Sequence, residues 1–233
     1  MPTLEAFVQV LREAKRVVAV AGAGISTPCG IPDFRSKEGL YALAEEQGID
    51  TTYGLGQPED LFSIEFFEHC PDAFFAFASK NLLPPSGSGF TPSLTHLFLK
   101  ELDKRGKLLR VYTQNVDGIE VACGLNAKRV VQCHGTLATA TCRDCKARYK
   151  LKDIKEALSR GEIPRCPRKT GKVAPAAVPV RRSGRKRKRK SSGGEGGREA
   201  LDPTLCNGVV KPDITFFGEP VSGAVAKRLT EDR

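Results

Sequence analysis

The sequence predicts an α/β fold built on a parallel sheet, on three observations. Short apolar runs recur at Val17–Ala21, Leu108–Thr113 and Val130–Gln132, the composition expected of strands buried on both faces. Stretches of helical spacing separate them, and that alternation builds a parallel sheet. The first run leads directly into Gly22-Ala23-Gly24, a turn that lets backbone approach a ligand closely.

Taken in order, residues 4–14 place Leu4, Phe7, Val8 and Leu11 on one helical face. After the first strand, residues 27–58 are rich in Pro, Gly and polar residues and read as a long loop with short helices at most. A loop of that length inside a domain is commonly functional. Residues 61–81 carry six phenylalanines and read as helix on both sides of Pro71. Thr91-Pro92-Ser93 starts another helix with Pro92 in its first turn, and Leu94, Leu97, Phe98 and Leu102 form its apolar stripe. Residues 151–160 are an amphipathic helix, and residues 209–217 a last extended apolar run. Residues 142–210 break the alternation and form a separate small module.

Of the 233 residues, 40% are hydrophobic and 27% charged, ordinary for a globular chain long enough to bury a core. No run of 18 apolar residues exists, which excludes a helical membrane span. Residues 1–10 hold Glu5 and no Arg, unlike a secretory signal or an Arg-rich presequence. The net charge of +10 is local: the 39 residues between Cys166 and Cys206 carry +9 of it (12 basic, 3 acidic). Within them, residues 181–190 are eight-tenths basic, the composition of an import signal or polyanion contact. That run has no aromatic residue for base stacking, which argues against a nucleic-acid partner. The low-complexity segment 168–204 is expected to be disordered. Eight cysteines are too sparse for a disulfide scaffold.

Several short segments bear chemistry. Ala21, Gly22, Ala23, Gly24, Ile25 and Ser26 suit a pyrophosphate, although the third glycine of a dinucleotide fingerprint is missing and a plain turn reads the same way. Asp33, Phe34 and Arg35 follow Pro32 in a stiffened loop, or form a polar surface turn. Gln114, Asn115 and Asp117 follow the second strand, where parallel sheets carry ligands; an Asn/Asp turn capping a helix is the alternative. His134 ends the third strand before Gly135, as a base or a structural histidine. Cys142 and Cys145 have metal-ligand spacing with Cys166 behind them. The regular fourth position is Lys169, so Cys206 closes a tetrahedron only if residues 167–205 loop out, which costs little extra closure entropy.

Together GAGIS, GIPDFR, TQNVDG, CHG, CxxC and VVKPDITFFGE, in this order, closely resemble the sirtuin family from about residue 17 to 220, apart from 167–205. The phrases around Tyr41, RVYTQN and IPRCP are most similar to the mitochondrial animal member of class I. The resemblance implies a Rossmann-like sheet with an inserted zinc module: residues 1–141, then 142–210, then 211–233 returning to the large domain. It implies an NAD-dependent protein-lysine deacetylase that moves acetyl from lysine to ADP-ribose and releases nicotinamide. Ala21 to Ser26 would then hold the NAD phosphates, and Asp33, Phe34, Arg35 and Tyr41 would order the loop over the nicotinamide end. Gln114, Asn115 and Asp117 would line the nicotinamide and ribose pocket, with Asn115 and Asp117 counted with the catalytic set. His134 would be the general base. Cys142, Cys145, Cys166 and Cys206 would hold a structural zinc. Ile214 and Phe216 would flank the acetyl-lysine tunnel, and Gly218 and Glu219 would offer backbone to the substrate peptide.

The partners implied are acetylated proteins, with no membrane. The location implied is the mitochondrial matrix, the alternative being nucleus or cytoplasm. Residues 41–45 lack an Arg to pair with an acidic acyl group, so acetyl is expected over succinyl. Two departures from the pattern remain. The 167–205 segment reads as an alternative exon or read-through. After Pro220 the family's later strands are missing, so the sheet is expected to be incomplete, with a catalytically inactive, partner-binding form as the alternative function.

Overall fold

The computed structural model describes residues 3–83, 90–169, 202 and 204–233. The chain opens with helix α1 (Leu4–Glu13), capped by the Thr3 hydroxyl, which accepts the Ala6 N–H at 3.3 Å. Lys107 donates to the carbonyls of Leu11, Arg12 and Ala14 at its other end, satisfying oxygens that a helix leaves unpaired. Strand β1 (Val17–Ala21) follows. Helices α2 (Leu40–Glu46) and α3 (Ile49–Tyr53) are short, as the loop composition of 27–58 predicts. Helices α4 (Ile64–His69) and α5 (Pro71–Asn81) flank Pro71, whose missing N–H is harmless at a first turn. Helix α6 (Leu94–Lys104) leads to strand β2 (Leu108–Thr113). The one-turn helix α7 (Ile119–Ala122) precedes strand β3 (Val130–Gln132).

Strands β1, β2 and β3 pair in parallel in that order, with Ala21, Thr113 and Gln132 aligned across their carboxyl ends. That order matches one half of a doubly wound nucleotide-binding sheet. A second, antiparallel sheet follows: β4 (Gly135–Cys142) lies between β5 (Arg148–Lys150) and β6 (Val210–Ile214). Helix α8 (Leu151–Ser159) packs beside it through buried Ile154, while Leu158 joins the phenylalanine-rich core around α5. Helix α9 (Gly223–Glu231) runs on to Asp232, which pairs with Arg110 at 2.7 and 2.8 Å and accepts the Tyr112 hydroxyl at 2.6 Å.

The structure corrects several expectations. Strand β1 is not buried on both faces: Val18 and Val20 are 46% and 75% exposed, because α6 covers only the Val17–Ala19–Ala21 side. The buried face of α6 is His96, Leu99 and Leu102, whereas Leu94, Leu97 and Phe98 face outward. Pro92 lies outside that helix, and Ser93 is its cap. Within 167–205, the ends do not loop out freely. Lys169 bridges Leu205, and the Cys206 N–H donates to Arg168 at 2.8 Å, continuing a ladder from the Arg165–Val209 bridge. The basic run 181–190 and the expected disorder of the segment lie outside the described residues.

Candidate active site

The aligned strand ends place three motifs on one edge of the parallel sheet. The chain leaves β1 at Gly22, β2 at Gln114 and β3 at Cys133, and the Gln114 N–H donates to Ala21 at 2.9 Å while that of Cys133 donates to Thr113 at 2.7 Å. The loops are then cross-linked. The Asn115 amide donates to Gly22 carbonyl oxygen (3.1 Å) and to the Ser26 hydroxyl oxygen (3.0 Å). Ser26, 2% exposed, donates in turn to Asp117 Oδ2 at 2.8 Å. The other Asp117 oxygen accepts the Ile119 N–H (2.9 Å), an Asx-type turn just ahead of α7, whose N-cap is Gly118. Asp117 thus forms the Asn/Asp turn ahead of α7 and is a member of the loop network.

A Cβ added to Gly22 or Gly24 would have no neighbour within 4 Å, so the first loop is open to a ligand on that side. His134 is exposed, with Nδ1 3.1 Å from the Gln114 carbonyl. In the tautomer where Nδ1–H donates to that carbonyl, Nε2 is left to accept a proton. Gly135 follows because β4 crosses β6 there: its φ is +80°, and a Cβ would lie 2.0 Å from the Asp213 carbonyl oxygen.

The 30–41 loop is braced by Asp33, which accepts the Ser36 N–H at 2.8 Å. That bond holds its carboxyl below the ordinary value. Gly39 packs against it, where a Cβ would come within 2.9 Å of the Asp33 carbonyl oxygen. The Phe34 ring, partly exposed, rests on Tyr41 (5.8 Å) and Phe62 (5.4 Å). Tyr41 is buried with its hydroxyl unpaired, and Arg35 is exposed.

Ile214 and Phe216 are buried, and Phe216 stands edge-on to Phe62, Phe67 and Phe74 at 6.0, 5.4 and 5.1 Å. Such contacts add about 0.5–1.5 kcal/mol each beyond area burial. Gly218 and Glu219 form a turn, Glu219 N–H to Phe216 carbonyl at 3.0 Å, and the Phe217 strand is pinned to residues 62–64 by two backbone bonds. The phenylalanine composition of 61–81 signals this support only in general terms. The bonds of Glu219 to Arg143 and Lys211 have no sequence signature at all.

The four sulfurs of Cys142, Cys145, Cys166 and Cys206 lie within 4.8 Å of one another. The pairs Cys142–Cys206 and Cys145–Cys166 are 3.7 and 3.5 Å apart. A tetrahedral centre with metal–sulfur bonds of about 2.3 Å separates its sulfurs by about 3.8 Å, so the donor set fits such a metal. Cys142, desolvated, is pushed up to about 12, whereas the Ala147 N–H holds Cys145 down at about 7. Among the described residues no helix is long and apolar enough to cross a membrane.

Comparison with known proteins agrees with this layout. A model of the Sir2 family matches residues 22–233. The chain is 37% identical to the NAD-dependent histone deacetylase SIR2 of Saccharomyces cerevisiae over 235 residues, covering 99% of the chain and 39% of that protein. It is 37% identical to the NAD-dependent protein deacetylase sirtuin-1 of Homo sapiens (99% of the chain, 25% of the relative). Against sirtuin-3 of Mus musculus the identity is 39% (89% and 48%). The chain thus spans about a quarter to a half of these relatives' length. The near-equal identities do not single out one subtype, which corrects the expectation of a specifically mitochondrial likeness. Two strand-end loops joined by the Asn115–Ser26–Asp117 network, His134 beside them at the third strand end, and a family match over nearly the whole chain lead to one conclusion: this chain belongs to the Sir2 family.

Proposed function

We propose that the chain carries an NAD-dependent protein-lysine deacetylase site that moves acetyl from lysine to ADP-ribose and releases nicotinamide. The observation that carries the reading is the convergence of Gly22–Ser26, Asn115–Asp117 and His134 on one sheet edge. NAD, as co-substrate, supplies an electrophilic sugar carbon with nicotinamide as leaving group. Gly22 and Gly24 leave room for its phosphates, and Asp33, Phe34, Arg35 and Tyr41 close the nicotinamide end. Gln114, Asn115 and Asp117 orient the ribose. His134, oriented by the Gln114 carbonyl, offers Nε2 to a ribose hydroxyl proton.

Acyl-lysine is neutral, so an apolar tunnel beside Phe34, Ile214 and Phe216 binds it at little desolvation cost. Gly218 and Glu219 present backbone to the peptide. Zinc is the metal that best suits four thiolates at the observed spacing. The division into a nucleotide part (1–141), a zinc module (142–210) and a return segment (211–233) belongs to the same reading. The partners are acetylated proteins. Imaging tagged protein distinguishes the mitochondrial matrix from the nucleus or cytoplasm.

The test is product stoichiometry with an acetyl-lysine peptide and NAD. Free lysine, nicotinamide and O-acetyl-ADP-ribose in equal amounts support the reading. Acetate release without NAD consumption, or NAD hydrolysis without lysine release, contradicts it.

A further inference from the structure

We propose that Arg143 is a positioning residue that ties the four-cysteine module to the substrate edge at 214–219. The proposal rests on the reading of that edge given above. Arg143 lies between Cys142 and Cys145, in a turn closed by the Lys146 N–H to Cys142 (3.2 Å) and anchored by its own N–H to Val209 (2.8 Å). The geometry of the thiol cluster therefore decides where its guanidinium points. One nitrogen donates to Glu219 Oε1 at 3.2 Å and the other to Glu68 on α4.

Glu219 is the junction. Its second oxygen accepts Lys211 Nζ at 2.8 Å and the Phe216 N–H at 2.9 Å. Lys211 is 5% exposed, donates to the Ile214 carbonyl at 2.6 Å, and lies 4.0 Å from the centre of the Phe216 ring. A single carboxylate thus collects the metal turn, strand β6 and the backbone of Phe216. Only a forked cation reaches Glu68 and Glu219 together, which is why arginine suits position 143. Loosening Arg143 leaves the Phe216–Glu219 turn with no tether to the thiol module through this carboxylate.

The experiment uses the full chain with Arg143→Gln and Arg143→Lys, measuring bound metal, amide hydrogen exchange and steady-state kinetics. Arg143→Gln is expected to keep its metal and speed exchange at Phe216 and Glu219 about tenfold. It should raise the KM for an acetyl-lysine peptide about tenfold, the loss of one charge-assisted hydrogen bond, with the KM for NAD within about twofold. Arg143→Lys should recover part of both effects. Glu219→Gln, distant in sequence from the thiols, should reproduce the peptide effect should Arg143→Gln lose metal. Unchanged peptide KM with unchanged exchange overturns the proposal, as does a uniform rise in exchange across the chain. If the unsubstituted chain fails to turn over, the functional reading fails, and the exchange at Phe216 and Glu219 still decides this one.

Discussion

Replacing Asp117 by Ala removes two bonds: the Ser26 hydroxyl at 2.8 Å and the Ile119 N–H at 2.9 Å. Ser26, 2% exposed, keeps the Asn115 amide as a donor partner but loses the acceptor for its own proton. A hydrogen bond to a charged acceptor contributes about 1.5–3 kcal/mol, and the turn bond from the Ile119 N–H about 1. The expected loss is therefore about 3 kcal/mol. Asp117→Asn retains the Oδ1 turn bond to Ile119, so its loss should be about 1–2 kcal/mol. In urea, with a slope of about 2–3 kcal/mol/M, the Ala variant should unfold roughly 1 M earlier. Ser26→Ala in the Asp117→Ala background should add less than in wild type, with a coupling of about 1–2 kcal/mol. NAD affinity should fall in both Asp117 variants, because the loops it links are no longer held together. Additive effects of Asp117→Ala and Ser26→Ala, or an unfolding midpoint equal to wild type, would refute the network.

Asp232 and Arg110 have side chains 8% and 11% exposed, and Asp232→Ala should cost about 3 kcal/mol at pH 7 because Arg110 is left buried without its partner. The Arg110 and Tyr112 bonds hold the Asp232 carboxyl well below its ordinary 3.8, so the stabilisation is full above about pH 4 and is lost as pH falls through the folded value. The gap between wild type and Asp232→Ala in a pH series of thermal melts should shrink only on the acid side; a gap that widens there contradicts the pairing. If the four thiols hold zinc as proposed, Cys206→Ser leaves only Cys142, Cys145 and Cys166 and should weaken retention of added zinc against a chelator by about tenfold or more. Equal retention would mean that Cys206 is not a ligand.

The parallel-sheet half was legible because its signals are local. Strands β1, β2 and β3 are apolar runs, and each is followed at once by the residues that cross-link the loops. Their faces were not legible: Val17–Ala21 is apolar throughout, and only the position of α6 shows that Val18 and Val20 are uncovered. Strand β4 escaped notice because Gly135–Cys142 is built from Thr and Ala, with an irregular register against β6. Helix α9 and its Asp232 contact escaped for a different reason, since an ion pair 122 residues apart in sequence leaves no periodic trace. The place of Cys206 beside the other three thiols was visible from chemistry alone, as the spacing rule pointed to Lys169. The bridge from Lys169 to Leu205 shows how the fold brings Cys206 to the other three sulfurs.

The most direct test compares His134→Ala with wild type for NAD-dependent release of free lysine from an acetyl-lysine peptide. His134 is exposed and makes one described side-chain bond, so the thermal midpoint should move by no more than about 2 °C. The rate should fall by about 10²–10⁴-fold, the contribution of a positioned base. A well-folded His134→Ala variant that works at the wild-type rate would contradict the account.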